Sequence, residues 1–398
     1  MIRHLLKLAW HRKGSNALII VEIFASFMVV FAVAAFGLYL AGNYRRPLGF
    51  SYTNVWDVRI SAGRATDDEW SDEEVQRFRM LLQDVRGLDG VVAAAGALSV
   101  PYDTSRNVGG WQWNGREFDV EFDEVTDDFK DVLGLELVRG RWFEESDSAL
   151  GWEPMVIDEE MSRASFGDED PVGKTLPLNG DKGPEARVVG VVREFRKGGE
   201  FSGTRNFLFK RIRLGDTTSR PPRNLLLKMR PGLDASVEQA LAERLHSSAP
   251  GWSFEVRPLE QLRETSMRLW LAPLVVGGIV GGFLLLMTGL GLLGVLWQNV
   301  TRRTHEIGLR RATGASREDI CRQVLLEVGL TTTLGLLFGV ALVLQIPLLG
   351  LVGFVDKSVF VLAAAVSSLA IYLLTLACGV YPSLLAARLR PAEALNQE

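Results

Sequence analysis

Residues 17–41 read ALIIVEIFASFMVVFAVAAFGLYLA, a run whose single charge is Glu22. About 20 helical residues cross the hydrocarbon of a bilayer, so this stretch is long enough to span. It is also far longer than the roughly 7–15 residue apolar core of a cleavable leader. Ala32-Val33-Ala34 resembles a cleavage site, but more hydrocarbon follows it, and the run reads as an uncleaved anchor. Three more runs of spanning length follow at Leu269–Trp297, Val324–Val352 and Ser358–Ala387. The chain is therefore expected to be an α-helical membrane protein with four transmembrane helices.

Charge places the rest of the sequence around those helices. Of the 48 acidic and 44 basic residues, 40 and 31 lie between Arg45 and Arg268, which leaves 8 and 13 for the other 174 positions. One large soluble segment is thus inserted between helices 1 and 2. The net charge of −4 argues neither for a nucleic-acid partner nor for an acidic tail. Lys and Arg in short flanks are retained on the cytoplasmic side. Arg3, Lys7, Arg12 and Lys13 precede helix 1; Arg302, Arg303, Arg310, Arg311, Arg317 and Arg322 separate helices 2 and 3; Arg388 and Arg390 follow helix 4. All three clusters belong inside, with both termini in the cytoplasm and the inserted segment outside. Arg45 and Arg46 oppose the rule, but long domains translocate largely regardless of charge. Trp10, Trp270 and Trp297 stand where interfacial aromatics belong. The expected layout is a cytoplasmic N-terminus (1–16), helix 1 (17–41), an outer domain (42–268), helix 2 (269–297), a cytoplasmic segment (298–323), helix 3 (324–352), a short outer loop (353–357), helix 4 (358–387) and a cytoplasmic C-terminus (388–398).

The outer domain has mixed α/β character. Asn54–Ile60, Phe118–Val125 and Phe207–Leu214 alternate apolar and polar residues as half-buried strands do, and Pro154–Asp158 and Arg187–Val192 read as short buried strands. Ser71 with Glu74, and Ser236 with Gln239, fit the capping box that satisfies unpaired N–H groups at a helix start. Val75, Phe78, Leu82 and Val85 then make one apolar face, as do Val237, Leu241 and Leu245. The helices should cover sheets in one or two compact subdomains, with Asn179–Pro184 and Thr217–Pro222 as loops. Leu259–Leu269 is helix-forming and runs directly into helix 2. Cys321 and Cys378 lie at the mouth of the third span and inside the fourth, so neither is placed for a disulfide and the outer domain relies on its core.

The cytoplasmic segment reads QNVTRRTHEIGLRRATGASREDICRQVLLE from Gln298 to Glu327. No Gly or Pro interrupts it between Trp297 and Gly308, so helix 2 is free to continue into it. Thr313-Gly314-Ala315 reads as a helix stop, Ser316 with Asp319 as the cap of the next helix, and Glu306 with Arg310 has the i,i+4 spacing of an ion pair. Arg clusters at an inner face are expected from topology alone; the sharper reading is a docking element whose planar Arg forks engage a partner's carboxylates.

The pattern Arg303, Glu306-Ile307-Gly308, Arg310-Arg311-Ala312, Gly314-Ala315, Ile320, Gln323 and Glu327 resembles the FtsX-like permease domain of MacB-type ABC transporters. Tyr381-Pro382 through Ala386-Ala387-Arg388 to Pro391-Ala392-Glu393-Ala394-Leu395 resembles that family's closing motif. Val132-Leu133-Gly134-Leu135, Gly140-Arg141, Phe166-Gly167 with Pro171-Val172-Gly173-Lys174, and Val189-Gly190-Val191-Val192 resemble its periplasmic core domain. The resemblance implies a non-catalytic permease subunit in a bacterial inner membrane, with its large domain in the periplasm. A separate ABC ATPase binding ATP and Mg would dock on Arg303, Glu306, Ile307, Gly308, Arg310, Arg311, Gly314, Ala315 and Gln323. Work would be transmitted mechanically, for export of peptides or small amphiphiles or for lipoprotein release. The subunit would form a homodimer or a heterodimer with a related permease, with room for a periplasmic or outer-membrane partner. The competing reading is a membrane-anchored sensor or scaffold that binds a ligand or regulates cell-wall hydrolases without transport.

Other signals carry less. FGDEDPVGKT (166–175) ends like a phosphate-binding loop, but Gly167 and Gly173 enclose five residues where four are needed, and three carboxylates stand among them. Gly289, Gly291 and Gly294 match a dinucleotide fingerprint inside a membrane run with no preceding strand. Gly277 with Gly281, Gly278 with Gly282, and Gly335 with Gly339 have the small-xxx-small spacing of close helix contacts, and the first four are the expected dimer interface. His4, His11, His246 and His305 are scattered, so no metal site is expected. Glu121, Asp123, Glu124, Asp127 and Asp128 lack calcium-loop spacing and read as a solvated strand edge and turn.

Overall fold

The computed structural model describes residues 13–62, 70–113, 116–176, 185–214, 222–232, 235–350 and 355–388. Arg3, Lys7, Trp10, Arg12, the loop 179–184, most of 217–222, and the closing motif beyond Arg388 lie outside the described residues. The chain divides into two units, one of Met1–Gly42 with Leu271–Glu398, the other Asn43–Trp270. Helix α1 (Lys13–Tyr44) carries the first apolar run.

In the inserted unit the elements follow as β1 (Val55–Ser61), α2 (Asp72–Arg86), β2 (Val91–Ala97), β3 (Val108–Trp113), β4 (Arg116–Val125), α3 (Phe129–Leu133), β5 (Leu137–Gly140), β6 (Glu153–Asp158), α4 (Glu159–Phe166), β7 (Thr175–Leu176), β8 (Ala186–Val192), β9 (Phe207–Arg211), β10 (Asn224–Met229), α5 (Ala235–Ser248) and β11 (Ser253–Pro258). The sheet order is β11-β1-β10-β2-β4-β9-β6-β8-β5, with β3 on β4 and β7 on β8. Strands β2 and β4 share a single register pair, Ala97 with Val125, so the sheet is two halves joined at a seam. The first half is antiparallel throughout. The second mixes parallel pairs (β4 with β9, β6 with β8) and antiparallel ones.

Each half has its own cover. Phe78, Leu81, Leu82 and Val85 of α2 and Leu241 and Leu245 of α5 pack on Val58, Leu225 and Leu227. Met161 and Phe166 of α4 pack on Met155, Ile157, Val188 and Leu208. A third cluster, with Ala97, Val125, Phe129, Phe195, Phe207, Phe209 and Leu259, crosses the seam. Full burial of one such side chain stabilises by about 1.5–3 kcal/mol, and three contiguous cores replace the disulfides this unit lacks. Helix α2 starts as expected: the Ser71 side chain accepts from the Glu74 N–H and Glu74 Oε2 accepts from the Ser71 N–H at 2.8 Å.

Helix α5 is described from Ala235, and the Ser236 side chain, with the cap expected there, lies outside the described residues. Two local expectations are corrected. Strand β9 stops at Arg211, short of Leu214. The acids 121–128 are not a solvated edge, because β4 is an interior strand flanked by β2, β3 and β9. Asp123 is 2% exposed and accepts from Ser99 N (3.1 Å), Ser99 Oγ (2.9 Å) and Glu124 N (2.9 Å). Burial pushes its carboxyl up to about 7, against the pull of the nearby Lys197 ammonium. Asp127 makes a two-pronged pair with Arg211 at 2.6 and 2.7 Å, and Asp128 pairs with Arg86. The FGDEDPVGKT stretch is a turn: Gly167 (φ 61°) ends α4, the Gly173 N–H donates to Val188 O at 2.8 Å, and Lys174 is held by Glu169.

The chain continues with α6 (Leu259–Arg302), which begins in the inserted unit and runs into the membrane unit, then α7 (Thr304–Ala312), α8 (Arg317–Leu348) and α9 (Lys357–Arg388). Four helical stretches, Ala17–Tyr44, Leu259–Arg302, Arg317–Leu348 and Lys357–Leu384, are long and apolar enough to cross a membrane. The third ends at Leu348, short of Val352. The expected continuation from Leu259 into helix 2 is one unbroken helix of 44 residues that includes Pro273. Ile23, Phe27, Phe31, Leu336, Val343 and Ile371 form the core of this unit. The approach of α8 to α1 is as close as its glycines allow: a Cβ on Gly339 would stand 2.4 Å from the Phe27 ring, and one on Gly335 2.9 Å from Ile23. Hydroxyls add short interhelical bonds, Ser26 with Thr288 at 2.6 Å and Thr333 with Tyr372 at 2.9 Å.

Candidate functional site: the Arg-rich bracket

Helix 2 does not run on to Gly308. It ends at Arg302, the chain turns at Arg303, and α7 begins at Thr304. The turn lets Val300, Ile307 and Ile320 close into a small core that a straight helix could not make. Helix α7 buries Ile307 and Gly308 and leaves Leu309 53% exposed. Gly314 (φ 104°) stops it, and the Ala315 N–H reaches back to Arg310 O at 3.0 Å, the six-residue closure of a Schellman turn. Ala315 then packs on the same small core. Helix α8 opens with the expected capping box: Ser316 Oγ accepts from Asp319 N at 3.1 Å, and Asp319 Oδ2 accepts from Ser316 N at 3.0 Å.

A ring of side chains ties the bracket together. Arg303 Nη1 donates to both oxygens of Glu327 at 2.9 Å, Gln323 Nε2 donates to Glu327 Oε1 at 3.2 Å, and Arg310 donates to Gln323 Oε1. Arg310 Nη2 also donates to Glu306 Oε1 at 2.6 Å, and Arg303 Nε lies 3.9 Å from Glu306. Two cations and two carboxylates thus balance across α7 and α8. Pairs this exposed are individually worth about 0–1 kcal/mol, but charge-assisted bonds linked in a closed ring fix geometry as well as energy. Beside the ring lies a cavity of about 90 Å³ walled by Leu296, Val324, Val328 and Ile19.

Among the expected site residues, Arg303, Glu306, Arg310 and Gln323 meet in this ring, Ile307 and Gly308 form its buried underside, and Gly314 and Ala315 form its turn. Arg311 lies in α7, and its side chain is outside the described residues. The Arg303 and Arg310 forks engage the bracket's own Glu327, Gln323 and Glu306. Glu327, which the resemblance already placed in the bracket's pattern, pairs with Arg303 and Gln323 inside it. The four glycines expected at the dimer interface separate into two pairs. A Cβ added at Gly277 or Gly281 would stand 2.9 Å from Val33 or 3.7 Å from Val29 of α1, whereas one at Gly278 or Gly282 would meet nothing within 4 Å. Among the described residues no three His, Cys, Asp or Glu side chains stand together as metal ligands.

Comparison with known proteins follows the same division. Residues 17–244 match the family profile described as MacB-like periplasmic core domain, and residues 278–391 that described as FtsX-like permease C-terminal. A protein named macrolide export ATP-binding/permease protein MacB 1/2, from Paracoccus denitrificans (strain Pd 1222), is 30% identical over 298 residues, covering 71% of this chain and 42% of that protein. An uncharacterized ABC transporter permease, YknZ of Bacillus subtilis (strain 168), is 25% identical over 262 residues, 65% of this chain and 64% of that one. The crystal structure of the periplasmic region of MacB from Actinobacillus actinomycetemcomitans superposes with a TM-score of 0.39 at 19% identity, over 55% of this chain and 94% of that one. The alignment thus spans less than half the length of the MacB relative.

Proposed function

The chain belongs to the MacB/FtsX-type ABC transporter permease family, a family of transmembrane transporter components, and from that premise we propose that it is a non-catalytic permease subunit driven by a separate ATPase. ATP and Mg would be held by that ATPase. The ion-pair ring of the bracket carries this reading. It makes α7 and the start of α8 one stiff body directly after a 44-residue helix, so a push on α7 is delivered to α6 and α8 together instead of being lost in side-chain motion. The docking surface is the outer side of α7 and its turn: Leu309, Thr313 and Gly314 are exposed there, and the arginines stiffen it from within. No cargo need pass between the helices, because few ionisable groups lie within the spans. Cargo would be a peptide, a small amphiphile or a lipoprotein, bound or squeezed by the periplasmic domain of a dimer, alone or with a periplasmic or outer-membrane partner.

The test is purification of the full-length chain in mild detergent with identification of what accompanies it. A stoichiometric ATPase is expected, and Arg310→Glu with Arg311→Glu should abolish its recovery or its hydrolysis. A chain that purifies alone, with no nucleotide hydrolysis in either form, would sink the reading and favour an anchored sensor.

A further inference from the structure

The segment that leaves α1, Asn43–Phe50, and the helical stem that starts at Leu259 converge on one loop, Glu194–Ser202. Arg196 is 2% exposed, and its guanidinium donates to main-chain carbonyls on both sides: Asn43 O at 2.9 Å and Arg46 O at 3.0 Å, then Ser202 O at 2.6 Å and Glu200 O. Its own N–H donates to Leu48 O at 2.9 Å, and Asn43 Nδ2 donates to Phe201 O at 3.1 Å. Gly49 (φ 81°) lies so close to the loop that a Cβ there would stand 1.7 Å from Glu194 O. On the other side, the Glu200 carboxylate, 8% exposed, pairs with Arg263 of the stem, and the Arg263 guanidinium lies 4.8 Å from the Tyr52 ring centroid. Glu200 therefore belongs to both attachments: its carbonyl to Arg196 and the α1 exit, its carboxylate to Arg263 and the α6 stem.

We infer that the Glu194–Ser202 loop is a latch that locks the α1 exit and the α6 stem to one another, with Arg196 and Glu200 as its positioning residues. The inference rests on the transmission reading for the purpose of the latch, not for its existence. A buried guanidinium spread over carbonyls of two segments resists shear better than apolar packing, because each bond has a direction and few alternatives away from water. Movement of the stem at Arg263 then reaches residues 43–48 through Glu200, whose carbonyl accepts from the Arg196 guanidinium that also bonds Asn43 O and Arg46 O. Without the latch the two attachments would respond separately.

The experiment is hydrogen exchange on the full-length chain in detergent, without nucleotide, comparing wild type with Glu200→Gln and Arg263→Gln. Both substitutions remove the stem-side ion pair; Arg263→Gln, at a partly exposed helix position, also takes the guanidinium off the Tyr52 ring, whereas Glu200→Gln leaves it there. The expected result is exchange about tenfold faster at the Arg46 and Arg196 amides in both variants, the size of one lost charge-assisted hydrogen bond, with exchange in β8 and β10 unchanged. Acceleration confined to residues 198–202 and 259–266 would overturn the latch, since the pair would then be a local brace. Recovery of an ATPase with the chain is a separate measurement, so loss of the transmission reading leaves this outcome interpretable.

Discussion

Asp158 shows how a single carboxyl ties the outer domain to pH. It caps α4: Oδ1 accepts from Met161 N at 2.8 Å and from Phe207 N at 3.1 Å, and the whole carboxyl is buried. Burial pushes its pKa up to about 8, outweighing the backbone N–H groups of Met161, Phe207 and Phe195 that pull it down. The folded state thus holds the proton more tightly than the unfolded chain, whose carboxyl titrates near 4. Stability from this group is fully present below about pH 4 and is lost as pH rises towards 8, by at most about 1.4 kcal/mol per pH unit. Asp158→Asn keeps the accepting oxygen and removes the titration. Urea unfolding of the variant should show it gaining on wild type between pH 5 and pH 8, and an equal difference at both pH values would mean that Asp158 is not protonated in the fold. Asp57, pushed up to about 6 by burial despite its pairing with Arg257, and Asp123 shift the background in the same direction, so the difference between variant and wild type is the informative quantity.

At the scale of elements, what could be read from sequence was what depends on near neighbours. The capping boxes at Ser71 and Ser316 and the stop at Gly314 each need only a few consecutive residues, and all three are present. Strand β2, VVAAAGA, was not recognised because burial of most of its residues removes the polar alternation that marks a half-buried strand, and NLLLKM of β10 fails for the same reason. At the turn, Arg303 pairs with Glu327, 24 positions away, and no window short enough to define a helix contains both. The small-xxx-small spacing located glycine pairs but could not say which helix each would meet; packing against Val33 and Val29 decides that for Gly277 and Gly281. The same distinction yields a prediction. Gly339→Val drives a side chain into the fully buried Phe27 and should destabilise the helix bundle by about 1–3 kcal/mol. Gly278→Val, where nothing lies within 4 Å, should leave the thermal midpoint of the detergent-solubilised chain unchanged and reduce the dimer fraction in light scattering. Unchanged dimerisation would exclude the Gly278 face from the interface.

For the whole molecule the decisive quantity is orientation, because the same fold inverted would put the bracket where there is no ATP. At about 1.5 Å per residue, α6 is about 66 Å long against roughly 30 Å of hydrocarbon, so this helix is longer than the apolar layer is thick and extends beyond it. The charge bias predicts that the bracket end is inside: the Arg302–Arg322 segment carries six arginines, whereas the described part of the loop between α8 and α9 offers Asp356 and Lys357. Single-cysteine variants test this directly, made in a chain with Cys321 and Cys378 replaced by Ser. A membrane-impermeant maleimide added to cells with an intact inner membrane should label Arg268→Cys and Lys357→Cys, both exposed positions, and should reach exposed Arg317→Cys only after that membrane is opened. Labelling of Arg317→Cys in intact cells would turn the bracket outward, and a docking surface for an ATPase could then not be sustained on Leu309, whatever the ring of Arg303, Glu306, Arg310, Gln323 and Glu327 contributes to the stiffness of that end.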